Sequence, residues 1–538
     1  VNEMATEILI VGGGLSGVAA ALAVAAAGRR VVLSEALPWL GGQLTAQAVP
    51  PDEHPWVEYQ LGSRSYSQFR EKIRQHYREH YPLTPAARAD TRLNPGAGNV
   101  NTLCHEPHVA AAVIEQQLAA YVSAGRIWLL RGYEPVAAEC TGDRIDSVTL
   151  RNRQVGHDIV VTFDLVIDAT ELGDLLALAK VEHVTGAESQ ADTGELHALE
   201  VADPLDQQAI TWCFAVDHLP GEDHVVARPA GYDHWRRIQI PSWPGPQFSW
   251  TVSDHVTHRP RVRQLFDGEP DQVWAWDLWH ARRIAARRQH ADGFFTSDIT
   301  LANWPQMDYW AKPVLGVDDE SAQAAMAEAK EVSLAFLYWM QTEAPRPDGG
   351  QGYPGLRLRP NVTGTHDGFA MQPYFRESRR IVPEFRVLEQ HIGVEARGSA
   401  GAAETFADSV GIGAYRIDIH PTSTGRNTVD IDSYPFQIPL GALIPARVEN
   451  LLAAGKNIGT TRITNGAYRV HPVEWSIGEA AGVTAAQAVQ RRTTPRAIRN
   501  RPSELLVLQG ALTARGVDLR WPSFAALTPT SRSGWVEA

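Results

Sequence analysis

Hydrophobic and polar positions follow several distinct rhythms along this chain. Near the start, the apolar run Ile8-Leu9-Ile10-Val11 gives way to Gly12-Gly13-Gly14. An alanine-rich stretch then reaches Gly28, and a second apolar run, Val31-Val32-Leu33, ends on Ser34-Glu35. Short apolar runs bounded by glycine read as buried strands, and the alanine-rich stretch reads as a helix. Residues 7–35 are therefore predicted to form strand, turn, helix and strand. Helical patterns recur at 65–81, which is basic and aromatic, and at 108–124, which is apolar, with a Pro/Gly/Asn loop at 94–99 between them. From 126 to 170 the period drops to two. Strands are predicted at 127–130, 134–138, 145–150 and 159–163. The last leads into Leu165-Val166-Ile167 and the small-residue turn Asp168-Ala169-Thr170.

The character changes between about 186 and 430. Tryptophan becomes dense, proline-rich turns alternate with short β-like runs at 237–240 and 248–252, and helices are predicted at 272–290 and 320–342. Tryptophans in such numbers either fill a core or form platforms for an aromatic or sugar ligand. Alternation at 415–420 sets Tyr415, Ile417 and Ile419 on one face of a strand and Arg416, Asp418 and His420 on the other. A strand and turn at 450–457 and a second alanine-rich helix opening within 469–482 then restore the rhythm of the first 185 residues. The polar remainder carries one apolar helix at 504–514. The reading is an α/β fold: a discontinuous Rossmann-like domain from 1–185 and 431–492, an inserted α+β substrate-binding domain at 186–430, and a C-terminal tail at 493–538.

The glycines of the first turn fit G-x-G-x-x-G at Gly12, Gly14 and Gly17. The first permits the tight turn, the second lets a pyrophosphate approach the backbone, and the third lets helix pack on sheet. The helix N-terminus offers free N–H groups and partial positive charge to phosphates. Glu35, at the end of the second strand, is placed to accept hydrogen bonds from a ribose. Gly41-Gly42-Gln43-Leu44 follows, a second close backbone approach that a long dinucleotide such as FAD would use. Val136 is a candidate adenine contact from the hairpin. The alternative at each glycine turn is a turn and nothing more.

Composition narrows the classes. Lys plus Arg number 49 against 62 Asp plus Glu, a net charge of −13, with no basic run. That argues against nucleic acid and against an anionic membrane surface. No apolar run approaches the ~18 residues of a membrane span. Three widely spaced cysteines, Cys104, Cys140 and Cys213, form no disulfide or zinc pattern and suit a reducing cytoplasm. No metal site is expected. Cys104 and His105 are candidates for flavin contact, although a small buried thiol is the plainer reading. Self-association into a homo-oligomer is left open.

Three further constellations suggest chemistry. Arg376, Arg379 and Arg380 would share one face if 374–381 were helical, holding a substrate carboxylate or a flavin's electron-rich edge, or pairing with Glu377. His420, at a strand end beside Arg416 and Asp418, is a natural acid/base. His471 is the other candidate base, with Arg379 positioning the substrate. Ser476 and Glu479 fit an S-x-x-E capping box, which would leave the Ile477 and Gly478 N–H groups free to face a flavin carbonyl.

Together, Gly12 to Gly17, Gly41-Gly42-Gln43, Asp168-Ala169-Thr170-Glu171, Arg376 to Arg380, Tyr415 to His420 and Leu451 to Gly482 resemble the FAD-dependent oxidoreductase family FAD_oxidored, related to the fumarate reductase and glutathione reductase flavoproteins. The resemblance implies a Rossmann-like FAD domain, a substrate-binding insertion and tightly bound FAD. The cofactor-binding candidates are Gly12, Gly14, Leu15, Ser16, Gly17, Glu35, Gly42, Gln43, Leu44, Val136, Ala169, Thr170, Gly455, Asn457, Ile477 and Gly478. The expected activity is a dehydrogenase or oxidase passing hydride from a C–H beside an alcohol or amine of a small molecule to flavin N5. Two other readings stand beside it: an NAD(P)H- and O2-dependent monooxygenase, and a non-enzymatic FAD-binding redox partner.

Overall fold

The computed structural model describes residues 2–266 and 277–530. Its organising layer is a sheet opened by β1 (Asn2–Val11), followed by helix α1 (Leu15–Ala26) and β2 (Val31–Glu35). Next come β3 (Ile127–Arg131), β4 (Tyr133–Thr141), β5 (Arg144–Asn152) and β6 (Asp158–Asp168). The spatial order is β3-β2-β1-β6-β5-β4. β3, β2, β1 and β6 run parallel, whereas β4, β5 and β6 form an antiparallel meander. β5 pairs with the first half of β6, up to Thr162. The freed edge beyond it is taken by Leu451–Ala453, parallel to Val166, Ile167 and Asp168. The sheet is thus completed by chain that returns from far downstream.

Burial on both faces explains the apolar runs: Ile8 to Val11 and Val166 to Ile167 are completely buried. α1 and the helix His471–Arg491 cover one face. Their contact is close because glycine sits at the crossing. A Cβ on Gly478 would lie 2.1 Å from the Ser16 carbonyl oxygen, and one on Gly482 would lie 2.5 Å from that of Ala20. This second helix begins at His471, with Pro472 in its first turn, where a missing N–H costs nothing. Ser476 therefore does not cap it. Ile477 and Gly478 lie in the helix interior, where their N–H groups belong to the helical ladder, and the expected free donors are not there.

Residues from the central region form an antiparallel sheet in the order Arg283–Ala285, Ile299–Ala302, Phe214–His218, Leu356–Leu358. The long helix Asp319–Thr342 packs with it, burying Phe336 and Trp339. Trp235, Trp243, Trp250 and Trp279 are also buried, so most of the described tryptophans there fill cores. Trp274 and Trp276 lie outside the described residues.

Three local expectations differ from the fold. The helix expected at 272–290 is, over its described part, one turn at Leu278–Ala281 followed by strand Arg283–Ala285. Buried Arg283 bonds the Gly96 and Ala97 carbonyls and Asp298, and those tertiary partners override helix propensity. Residues 237–240 are not a strand, and in the 248–252 region the strand is Thr251–Ser253. Residues 374–379 are extended rather than helical, running into the two-residue strand Arg380–Ile381. Pro373 and Pro383 bracket the stretch, and the residue before a proline is steered away from helix. No helix among the described residues is long and apolar enough to cross a membrane.

Candidate active site

The carboxyl ends of β1 and β6 open into a long cavity of about 1430 Å³. Crevices at such strand ends are where α/β sheets bind ligands. One end is lined by Gly12, Gly14, Glu35, Ala169 and Thr170, together with Tyr133 to Pro135 of β4. Gly12, at φ +98°, makes the turn, and its absent side chain leaves room for the Ala169 carbonyl, which a Cβ would meet at 2.4 Å. A Cβ on Gly17 would fall 1.9 Å from the Gly12 carbonyl oxygen. Leu15, Ser16 and Gly17 form the buried first turn of α1. Gly42 packs on Gly14, a Cβ there lying 3.0 Å from the Gly14 Cα, with Gln43 and Leu44 buried behind it. Gly455 meets the Ser16 hydroxyl, and Asn457 donates to the Asp168 carbonyl at 2.9 Å. Glu134 and Pro135, rather than Val136, line the cavity.

These groups fit FAD. The Gly13 and Leu37 N–H groups each donate to one Glu35 carboxylate oxygen at 2.8 Å, fixing the acid on the cavity wall with lone pairs left for ribose hydroxyls. Burial pushes the Glu35 carboxyl up to about 7, against the pull of those N–H groups. Hydroxyls donating to Glu35 favour its ionised form, so FAD binding draws the pKa down and releases a proton. FAD affinity is therefore expected to strengthen as pH rises from about 5.5 toward 7, by up to about tenfold per unit, and to level off above it. Titration of FAD into the apoprotein across pH checks this; a Glu35→Ala variant should lose the slope.

Sequence reading overlooked Lys456. It is buried, paired with Glu171 and 3.3 Å from Glu474. Burial depresses its ammonium, but the two carboxylates outweigh that and raise it. A Cβ on Gly14 would lie 3.1 Å from the Glu171 carboxylate, which places this fixed positive charge near the glycine turn.

A second, compact cavity of about 220 Å³ holds the densest charge. The two cavities share a wall. Met371, Pro373 and Phe375 line the long one, while Tyr374 and Arg376 line the compact one. Arg416, Asp418 and His420, which the alternation of 415–420 set on one face, all line it. The strand Ile417–Ile419 pairs with Val429–Ile431, so Arg416 reaches Asp430 at 2.9 Å.

His420 Nδ1 lies 2.6 Å from Oδ2 of Asp308, and its Nε2 lies 3.7 Å from Asp418. Asp308 is fully buried, and its other oxygen accepts from Thr211 at 2.6 Å and pairs with Arg376 at 3.2 Å. Burial alone pushes the Asp308 carboxyl up, yet Arg376 and His420 outweigh it and hold the group below the usual carboxylate range. The same balance, with His420, Arg416 and Arg469 opposing burial, holds Asp418 well below that range. An ionised Asp308 accepts the proton of Nδ1, and Nε2 faces Asp418 on the cavity wall.

The other sequence candidates lie elsewhere. His471 is buried and lines neither cavity. Its Nδ1 accepts from the Asp52 N–H at 3.0 Å, and burial drives the ring down to about 4. Arg379 is held to the Leu172 carbonyl at 2.9 Å and faces Asp174, lining neither cavity, while Arg380 is buried against Glu188. The three arginines of 376–380 thus point to three places. Cys104 and His105 are buried and line neither cavity. His255, Asp418 and Asp430 come within 4.8 Å of one another, but Arg416 already pairs with Asp430 there, so the group belongs to the arginine cluster.

A family of proteins described as FAD dependent oxidoreductase matches residues 7–512. No curated protein matches the chain. Among solved structures, L-proline dehydrogenase from P. horikoshii aligns with 35% of this chain and 24% of its own length at 13% identity and a TM-score of 0.17. This chain therefore spans about a quarter of that protein. A geranylgeranyl bacteriochlorophyll reductase-like protein from Thermoplasma acidophilum aligns over 96% and 84% at 9% identity and TM-score 0.33. The quinol fumarate reductase FrdA of E. coli aligns over 96% and 74% at 10% identity and TM-score 0.35. At scores this low, the family match alone carries the assignment.

Proposed function

The chain belongs to the FAD dependent oxidoreductase family and is an FAD-dependent oxidoreductase, and from that premise we propose that it is a dehydrogenase or oxidase of a small organic molecule held in the compact cavity. The observation that carries this reading is the Asp308–His420 pair on the wall of that cavity. When bound, FAD supplies a two-electron acceptor for hydride at flavin N5. The chain supplies the rest. His420 Nε2 takes the proton of a substrate O–H or N–H as the adjacent C–H bond breaks. Asp308 fixes the ring's tautomer and stabilises the imidazolium that forms, while Arg376 and Thr211 fix Asp308 in turn. Burial of Asp308 keeps this orientation free of competing water.

Anaerobic mixing tests the reading. Alcohols, amines or sugars from a screen should bleach the flavin, whereas NADPH should not. Rapid bleaching by NADPH would move the monooxygenase or reductase reading ahead. Asp308→Asn should keep FAD bound yet slow flavin reduction by the bleaching compound by ~10²-fold, a typical general-base contribution, because the amide no longer enforces the Nδ1–H tautomer. Stopped-flow absorbance reads this out, and an unchanged rate would detach Asp308 from the chemistry.

A further inference from the structure

Arginine is the commonest charged side chain on the wall of the compact cavity. Five arginines line it against Asp52 and Asp418. Asp308 and Asp430 hold Arg376 and Arg416 from behind. Arg282 is held only by long contacts. Its closest carboxylate is Asp52 at 3.5 Å, and its other contact is the Pro50 carbonyl at 3.4 Å, both at the outer limit of a hydrogen bond. A guanidinium has five N–H donors in a rigid fork. Arg469, on the same wall, donates to the Tyr374 hydroxyl at 2.5 Å and the Asp418 carbonyl at 2.9 Å, and its buried Nε has no partner among the described residues. A largely buried guanidinium with only long contacts is costly unless an anion completes it.

We propose that the compact cavity binds the carboxylate of a small organic acid, with Arg282 as the anchor and Arg469 beside it. Bidentate recognition of a planar carboxylate is what an arginine fork does best. Combined with the hydride-transfer reading above, on which this second step rests, the substrate class is a 2-hydroxy or 2-amino acid. The carboxylate is held at Arg282 while the adjacent carbon carries both the C–H and the O–H or N–H. The C–H hydrogen would leave with its bonding pair as hydride, for which FAD would be the two-electron acceptor. The O–H or N–H proton passes to His420 Nε2. The acid leaves oxidised, as a 2-oxo or 2-imino acid.

The test uses the FAD-loaded enzyme and 2-hydroxyisobutyrate, which has no C–H at C2 and so binds without reacting. Its neutral isostere, 2-hydroxyisobutyramide, is the control. The acid should bind saturably by calorimetry and perturb the flavin absorbance, and the amide should bind at least tenfold more weakly. Arg282→Gln should weaken the acid at least tenfold and leave the amide unchanged. Arg282→Lys should fall between, and Arg379→Gln, outside both cavities, should change nothing. Equal binding of acid and amide by the unaltered enzyme overturns the proposal, and that comparison stands even if the Arg282 variants fail to fold. Acid binding without flavin reduction by any 2-hydroxy or 2-amino acid supports the carboxylate site while removing the hydride-transfer reading. Reduction by a neutral alcohol with no acid binding removes the carboxylate site and keeps that reading.

Discussion

Replacing His420 with alanine is expected to leave FAD bound and to slow single-turnover flavin reduction by roughly 10²- to 10⁴-fold, the range of a positioned general base. His420 lines the compact cavity, away from the glycine turn, so the yellow holoprotein should survive purification. What is lost is a cavity-lining imidazole oriented by the buried Asp308. Stopped-flow absorbance with the compound that bleaches the unaltered enzyme measures the effect. Undiminished reduction would remove His420 from the mechanism. A moderate fall that vanishes at high pH, where substrate deprotonates unaided, would still assign the proton to this ring.

The second large effect is expected at Gly17. The Cβ of Gly17→Ala would sit 1.9 Å from the carbonyl oxygen of Gly12. The obstructing atom is backbone, at a turn whose φ of +98° has little freedom to yield. Either α1 tilts off the sheet or the turn opens, and both displace Gly14 from the cavity wall. Overpacking in a close-fitted interior typically costs about 1–3 kcal/mol, and this contact is tighter than most. The variant should therefore purify colourless, with FAD affinity reduced by at least ~10²-fold and a lower Tm. A flavin spectrum of normal stoichiometry would show that the turn is not the phosphate cradle.

The two sites differed in how far the sequence revealed them. Gly12, Gly14, Gly17 and Glu35 were legible because a tight turn, a close approach and a ribose acceptor are local demands of one continuous stretch. The face formed by Arg416, Asp418 and His420 was legible from the period of a strand. Asp308 was not. Nothing in Met307-Asp308-Tyr309 marks it, and its role exists only because the fold brings it to His420. The arginine pocket is likewise assembled from distant stretches around Asp52, Arg282, Arg376 and Arg469. The misreadings arose where one local signal hid another. Ser476 and Glu479 matched a cap, but Pro472 upstream fixes the true helix start. The arginines of 376–380 matched a helical face, but flanking prolines hold the chain extended.

The late arrival of Leu451–Ala453 and His471–Arg491 at the sheet has a consequence for how the protein is made. β1 and α1 leave the ribosome long before the strand that completes their layer and the helix that covers α1, which begin at residues 451 and 471. At the usual pace of translation that interval is on the order of 20–90 s. Throughout it, α1, which buries ten of its twelve residues in the finished protein, is without its main cover. Over that interval α1 presents an apolar face that the finished sheet would cover, and the FAD-binding layer is complete only once residue 491 has emerged.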